Sequence, residues 1–367
     1  MLIGIFGTGR NGSTMLCRLL DGLGHTYVHP VEEKFLSYFS DLAQKGTVSR
    51  ETGQNCTTIQ LKGLEVPIPI TTLANAYSPS LDALRTLCSQ NKVTPDPADR
   101  VEIGQLLDGR RYLATDFAAE YLRAAARYAC PGNHFEHYLF KSIETPYIDD
   151  YAVRFPEMRF IHIIRDPVAT CSSQKRTLFE KKSRAASYLG YDWLICMLKK
   201  RWIPHARHIL AHINDPRHMF LRYEDVVVDP ISRIGDVARW LGLSPPPRPD
   251  TQTIFFDKDI EVVGSYASKR GVETPAKVSA NLRVENRYEE ILSGREIDLI
   301  NFMTGSYQKE FGYQPSSSPT RNQVLAQYML IDIWELKNVR GWRGIVRGLH
   351  GMLYRRANLF RNSSNDI

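Results

Sequence analysis

The residues Gly7-Thr8-Gly9-Arg10-Asn11-Gly12-Ser13-Thr14 offer the most specific chemistry in the chain. They follow the apolar run LIGIF (2–6). They precede Met15, Leu16, Leu19, Leu20 and Leu23, whose spacing is helical, with Gly24 as a stop. A glycine loop between a strand and a helix N-terminus presents backbone N–H groups and a positive dipole end to an anion. The stretch fits G-x-G-x-x-G, a dinucleotide fingerprint that expects an acidic residue about twenty positions later. Glu32 and Glu33 could be forced into that role, but Arg10 is then unexplained. It also fits G-x-x-x-x-G-K-[ST], with Ser13 where a lysine should reach the outer phosphates of a nucleoside triphosphate. The loop alone therefore points to phosphate binding and not to one particular phosphate. A packed turn without ligand is the structural alternative.

A second feature is RFIHIIRDPVATCSSQKR, residues 159–176. Arg165 ends an apolar strand, Asp166-Pro167 turns the chain, and Ser173 follows. The carboxyl ends of strands are where open α/β sheets bind ligands, so Arg165 and Ser173 are candidates for a second phosphate. His205, His208 and His212 have helical spacing. With no carboxylate or cysteine to complete a ligand set, they read as a solvated helix face, and no metal site is expected.

The elements that must position these groups are legible as an alternation. Strands are expected at LIGIF, at HYLFKS (137–142), at RFIHIIRD (159–166) and at HMFLRYEDVV (218–227). The last is followed by the amphipathic ISRIGDVARWLGL (231–243). Near-continuous apolar strands alternating with helices predict an α/β fold, a P-loop-like three-layer domain with a central parallel sheet flanked by helices. The 367 residues, 43% hydrophobic and 24% charged, suit one large α/β domain with insertions, or two domains. The net charge of +7 suits an anionic ligand or an acidic membrane surface. No run of eighteen apolar residues exists, so no membrane span is expected. Nor is a secretory signal, because the chain opens on strand and loop. Cys17, Cys56, Cys88, Cys130, Cys171 and Cys196 are scattered without a C-x-x-C pair and read as reduced thiols of a cytoplasmic protein.

Taken together, the two phosphate features resemble the sulfotransferases that use 3′-phosphoadenosine 5′-phosphosulfate. GTGRNGSTMLCRLLD is similar to the family's 5′-phosphosulfate loop, in the form found in the tyrosylprotein and carbohydrate branch. FIHIIRDPVATCSS is similar to its 3′-phosphate motif. FKSIETP, with Lys141 and Pro146, resembles the segment before that motif, and LRYEDVVVDP with VARWLGL the next strand and helix. The similarity spans roughly 1–40 and 138–313. It implies a sulfotransferase domain over 1–314, with 41–137 as a variable, acceptor-side insertion.

The resemblance also implies roles. Gly9, Arg10, Asn11, Gly12, Ser13 and Thr14 would wrap the 5′-phosphosulfate, and Arg165 and Ser173 would hold the 3′-phosphate. Tyr223 would contact the adenine, or else be a core tyrosine with a wet hydroxyl. Lys277 and Arg283, with Lys269 and Arg270 as neighbours, lie in a basic loop that closes over the nucleotide. Arg10 would stabilise charge on the leaving phosphate as the bridge to sulfur breaks. The base would be a glutamate soon after the first helix, either Glu33 or Glu32, with His25 and His29 in reserve. Lys141 would stabilise the transferring group or form a lone ion pair. The donor has no γ-phosphate, so no Walker lysine and no metal are expected.

The implied reaction is sulfuryl transfer to a hydroxyl- or amine-bearing acceptor, a glycan, lipid-linked or small molecule, and not to nucleic acid. The rivals are a P-loop-like nucleotide phosphotransferase and a non-catalytic nucleotide-binding module.

PSSSPT (315–320) reads as a linker. Residues 319–367 hold eight Lys/Arg against three acidic residues. Trp342, Ile345, Leu349, Met352 and Leu353 recur at steps of three and four. A basic amphipathic tail over 321–367 is expected, with two competing occupants: an anionic membrane surface in peripheral contact, or the domain itself or a second copy in a homodimer. Four glycines, Gly341, Gly344, Gly348 and Gly351, weaken it as a helix.

Overall fold

The computed structural model describes residues 1–21, 23, 25–33, 51–52, 59–60, 68–69, 111–112, 114–129, 133–180, 190–243, 288 and 291–327. Two compact units divide the chain. The first comprises Met1–Ile164 and Ile209–Val284; the second comprises Arg165–His208 and Glu285–Ile367.

The first unit is built on a parallel five-stranded sheet. Its strands are β1 (Leu2–Phe6), β2 (Thr26–Glu32), β7 (His137–Ser142), β8 (Arg159–Ile164) and β9 (His218–Arg222), in the order β2-β7-β1-β8-β9. Two-residue strands form antiparallel pairs, β3 (Glu51–Thr52) with β4 (Ile59–Gln60) and β5 (Ile68–Pro69) with β6 (Arg111–Tyr112). The expected α/β fold with a parallel sheet is what the chain adopts.

The helices of this unit are α1 (Ser13–Leu20), α2 (Ala114–Ala129), α3 (Ile148–Arg154), α7 (Tyr223–Val228) and α8 (Pro230–Leu241). Those of the second unit are α4 (Pro167–Glu180), α5 (Gly190–Met197) and α9 (Gly294–Glu310), while α6 (Ile203–Ala211) crosses the boundary. The central strands are apolar on both faces because helices cover both. Ile3, Ile5, Val28, Leu139, Ile161 and Ile163 face α1 and α8 through Leu16, Leu19, Leu20, Ile234 and Val237, all buried. Phe6, Phe140 and Tyr151 fill the other side, with Phe6 edge-on to Tyr151 at 5.2 Å between ring centres.

Two elements differ from the sequence reading. No strand was read at β2, which carries Pro30. It survives as an edge strand whose register shifts between Val28 and Glu32, where a missing N–H costs no ladder bond. The strand at HMFLRYEDVV stops at Arg222, and Tyr223–Val228 is helical. Glu224 and Asp225 sit in its first turn, where carboxylates favour a helix N-terminus.

The second unit is pinned by polar contacts along α9. Ser293 and Glu296 form a reciprocal capping box, and Lys175 Nζ donates to both Glu296 oxygens at 2.7 Å. Asn301 donates to Ser316 and Ser317, so part of the stretch expected as a linker is tied to α9. The histidine reading on α6 is corrected: His205 and His208 are buried, not solvated. Burial, with His208 beside it, pushes His205 down to about 3.

Candidate active site

The carboxyl ends of β1 and β7 present the glycine loop and Lys141. The loop is held open from within. Asn11 is fully buried. Its Nδ2 donates to the Ile163 carbonyl at 2.5 Å, and its Oδ1 accepts from the Ser13 amide at 3.3 Å. A side chain on Gly7 would collide with Asn11, so glycine there is what lets Asn11 fold beneath the loop. Arg10 adopts φ +73° and is exposed at the tip, while Gly12 adopts φ +94°. Non-glycine residues visit that region at a cost, and such strain clusters at ligand sites.

Tyr223, 7% exposed, packs under Gly12. A Cβ on Gly12 would lie 2.3 Å from its ring. The Tyr223 ring is part of the buried apolar cluster beneath the loop. Thr8 Oγ1 is buried without a hydrogen-bond partner. An orphaned hydroxyl inside a loop rich in N–H donors fits an anionic group that would accept from it.

Lys141 joins this loop to the second part of the site. It is 1% exposed, and its Nζ donates to Thr14 Oγ1 at 2.8 Å. Its carbonyl accepts from the Glu33 amide at 2.9 Å.

The two glutamates are sharply different. Glu33 is fully buried. Its Oε1 meets His29 Nε2 at 2.8 Å and accepts from the Tyr121 hydroxyl of α2 at 3.2 Å. Tyr27 OH lies 3.2 Å from His29 Nδ1. Every bond in that chain is satisfied if Tyr27 donates to Nδ1 and Nε2–H donates to Glu33. Glu32 ends β2 opposite Lys141. It is half-buried, and its Oε1 is enclosed without a hydrogen-bond partner. His29 and Tyr121 had no signal as an orienting pair in the sequence: one is four residues from Glu33 and the other eighty-eight. His25 is exposed with φ +56°.

Arg165 and Ser173 lie in the second unit. The Arg165 carbonyl accepts from Trp202 Nε1 at 3.0 Å, and Asp166 Oδ1 accepts from the Ala169 amide at 2.8 Å, capping α4. Ser173 is buried one turn before Thr177, whose hydroxyl donates to its carbonyl. Lys269, Arg270, Lys277 and Arg283 lie outside the described residues, as does the tail beyond 327.

The carboxyl edge of the parallel sheet thus brings together a strained glycine loop, a buried lysine and a positioned carboxylate. The family model described as Sulfotransferase family matches residues 3–247, and the chain belongs to that family: it is a sulfotransferase, an enzyme of sulfuryl transfer. No curated protein matches the chain.

Among solved structures, it is similar to the sulfotransferase domain from the curacin biosynthetic pathway. The identity is 15%, over 85% of this chain and 97% of that one, with a TM-score of 0.51. It is also similar to the sulfotransferase domain from the Synechococcus PCC 7002 olefin synthase. There the identity is 18%, over 85% and 94%, with a TM-score of 0.51. At such identity these structures support the fold alone. Among the described residues, no helix is long and apolar enough to cross a membrane.

Proposed function

We propose that the chain transfers the sulfuryl group of 3′-phosphoadenosine 5′-phosphosulfate to a hydroxyl or amine of an acceptor. When bound, that co-substrate supplies a sulfuryl group already activated by its phosphosulfate anhydride.

The residues of this chain then divide the work. The amides and hydroxyls from Gly9 to Thr14 cradle the 5′-phosphosulfate, with Asn11 serving as the internal brace. Arg10 and Lys141 supply positive charge where negative charge grows in the transition state. Glu33 takes the acceptor proton, its carboxylate aimed by His29 and Tyr121. Arg165 and Ser173, with Lys277 and Arg283, are assigned to the 3′-phosphate and the closing loop on the sequence resemblance.

The observation that carries this reading is Lys141. One buried residue donates to the phosphate loop through its ammonium and receives the Glu33 amide through its carbonyl. A second reading of the base rests on Glu32, whose enclosed Oε1 has no hydrogen bond and would gain one from an acceptor hydroxyl. The loop pattern favours the tyrosylprotein and carbohydrate branch, and the acceptor is a glycan, lipid-linked or small molecule.

Calorimetry with adenosine 3′,5′-bisphosphate, ATP with Mg²⁺, and NADPH tests the proposal. Preferential bisphosphate binding, with turnover of labelled donor on an acceptor panel, is the expected result. Preference for ATP with Mg²⁺ would establish the phosphotransferase rival. Tight bisphosphate binding without turnover would establish a binding module.

A further inference from the structure

We infer that the amino end of the sheet carries a divalent-cation site, of a kind suited to zinc, formed by His212, Asp215 and His218. The ligand atoms of these three residues lie within 4.8 Å of one another. They come from the short segment that leaves α6 and enters β9, within one unit. None of them belongs to the loop, Lys141 or Glu33, which sit at the opposite ends of the strands.

Three observations make this more than a chance cluster. First, the inner ligand is oriented. His218 is 3% exposed in its side chain and stacks on Phe160 at 4.6 Å between ring centres. Its Nδ1 lies 2.9 Å from His162 Nε2, while its Nε2 faces Asp215 Oδ2 at 3.8 Å. If Nδ1–H donates to His162, the Nε2 lone pair is directed at the site. Metal-bound histidines are commonly fixed in this way through their other nitrogen.

Second, the carboxylate is anchored on the other side. Asp215 Oδ1 accepts from the Arg217 amide at 2.9 Å and from Arg217 Nε at 3.4 Å. Arg217 also contacts Oδ2, at 3.0 Å, and that contact is the one a cation would replace.

Third, the outer ligand is presented at the rim. One ring nitrogen of His212 lies within 4.8 Å of the Asp215 and His218 ligand atoms, and turning the ring out of its stack on His218 would aim that nitrogen at the ion.

Two imidazoles with one carboxylate is a borderline-soft donor set, suited to zinc more than to calcium or magnesium, with water in the fourth position. Zinc holds N and O ligands at roughly 2.0–2.2 Å in a tetrahedron. Capture therefore requires the His212 ring to turn out of its stack on His218 and Asp215 Oδ2 to leave Arg217, movements that a surface segment permits. The cation would clamp the end of α6 to the start of β9 and take no part in the transfer.

The test uses the full chain stripped of metal by chelation. Zinc is titrated by calorimetry, and cobalt(II) serves as a visible-absorption probe of tetrahedral N/O ligation. The expected result is one equivalent bound, with tetrahedral cobalt bands. Affinity should fall tenfold or more in His212→Ala and in Asp215→Asn. Both positions are partly exposed, so these variants keep the test open even where His218→Gln fails to fold. Absence of saturable zinc binding in the micromolar range would overturn the site. So would binding that both rim variants leave unchanged, since that would place the metal at the cysteines or elsewhere.

Discussion

The two ends of the five-stranded sheet handle their charged groups differently. At the carboxyl end, Arg10 and Gly12 hold left-handed backbone, and Thr8 Oγ1 and Glu32 Oε1 are enclosed without hydrogen bonds. At the amino end, charges are paired locally. Arg217 grips Asp215, and Arg159 donates to the Pro216 carbonyl while lying over the Trp240 ring at 5.2 Å. At the carboxyl end, strain and an unmet hydroxyl fall within one glycine loop that a ligand can use; the amino end has its own left-handed residue, His25, and a His218 Nε2 facing the proposed cation site, but it ties Arg159, Asp215 and Arg217 into the chain. Substitutions at the first should cost turnover more than stability, and at the second the reverse.

The largest effect is expected at the base. Glu33→Gln keeps the shape and the hydrogen bond from Tyr121 but removes proton acceptance. It should lower kcat by about 10²–10⁴-fold, with little change in bisphosphate affinity by calorimetry. If Glu32→Gln shows that loss and Glu33→Gln does not, the base is Glu32, and the His29–Glu33–Tyr121 chain belongs to structure.

Next come the arginines. Arg10→Ala should lower kcat on the order of a hundredfold at saturating donor, because its charge matters most as the bridge breaks. Arg165→Ala should instead raise the donor KM, since a ground-state phosphate contact is lost. Normal turnover of Arg10→Ala would remove it from the transition state.

A smaller effect tests the strain itself. Gly12→Ala forces a Cβ into φ +94° and against Tyr223. The backbone alone costs about 1–2 kcal/mol, and Tyr223→Leu in the same chain should recover only the part due to collision. Thermal unfolding of the single and double variants separates the two.

This contrast explains what the sequence could show. The glycine loop and the strands β1, β7, β8 and β9 were legible because glycine spacing, apolar runs and strand–helix alternation are local signals. Asn11 was read as part of the phosphate cradle, and nothing local signalled that its side chain also braces the loop from below through Ile163, 152 positions away. Tyr121 reaches Glu33 from a helix in the unmatched insertion. His212 was seen in a helical histidine series with no carboxylate to join it, but Asp149 and Asp215 come from a distant helix and from the following turn. Long-range contacts of this kind leave no periodicity.

The smallest effect belongs to the amino end and has a defined pH dependence. Hydrogen bonds from the Arg217 side chain and amide hold Asp215 down at about 2, below its ordinary 3.8. A carboxylate whose folded value is depressed contributes stability that is fully present above the unfolded value and is lost as pH falls through the folded one. The pair is partly exposed, so solvent screens it. Arg217→Ala should cost about 1 kcal/mol or less at neutral pH, with kcat unchanged. Its side chain also reaches the Ala152 and Pro156 carbonyls, and that part of the loss should not depend on pH. The difference in stability between wild type and variant should therefore be constant above about pH 4 and narrow between pH 4 and 2 without closing fully, as read by urea unfolding across that range. A difference that stays flat down to pH 2 would mean that Arg217 acts through the carbonyls alone. A fall in kcat at neutral pH would break the division between the two ends of the sheet.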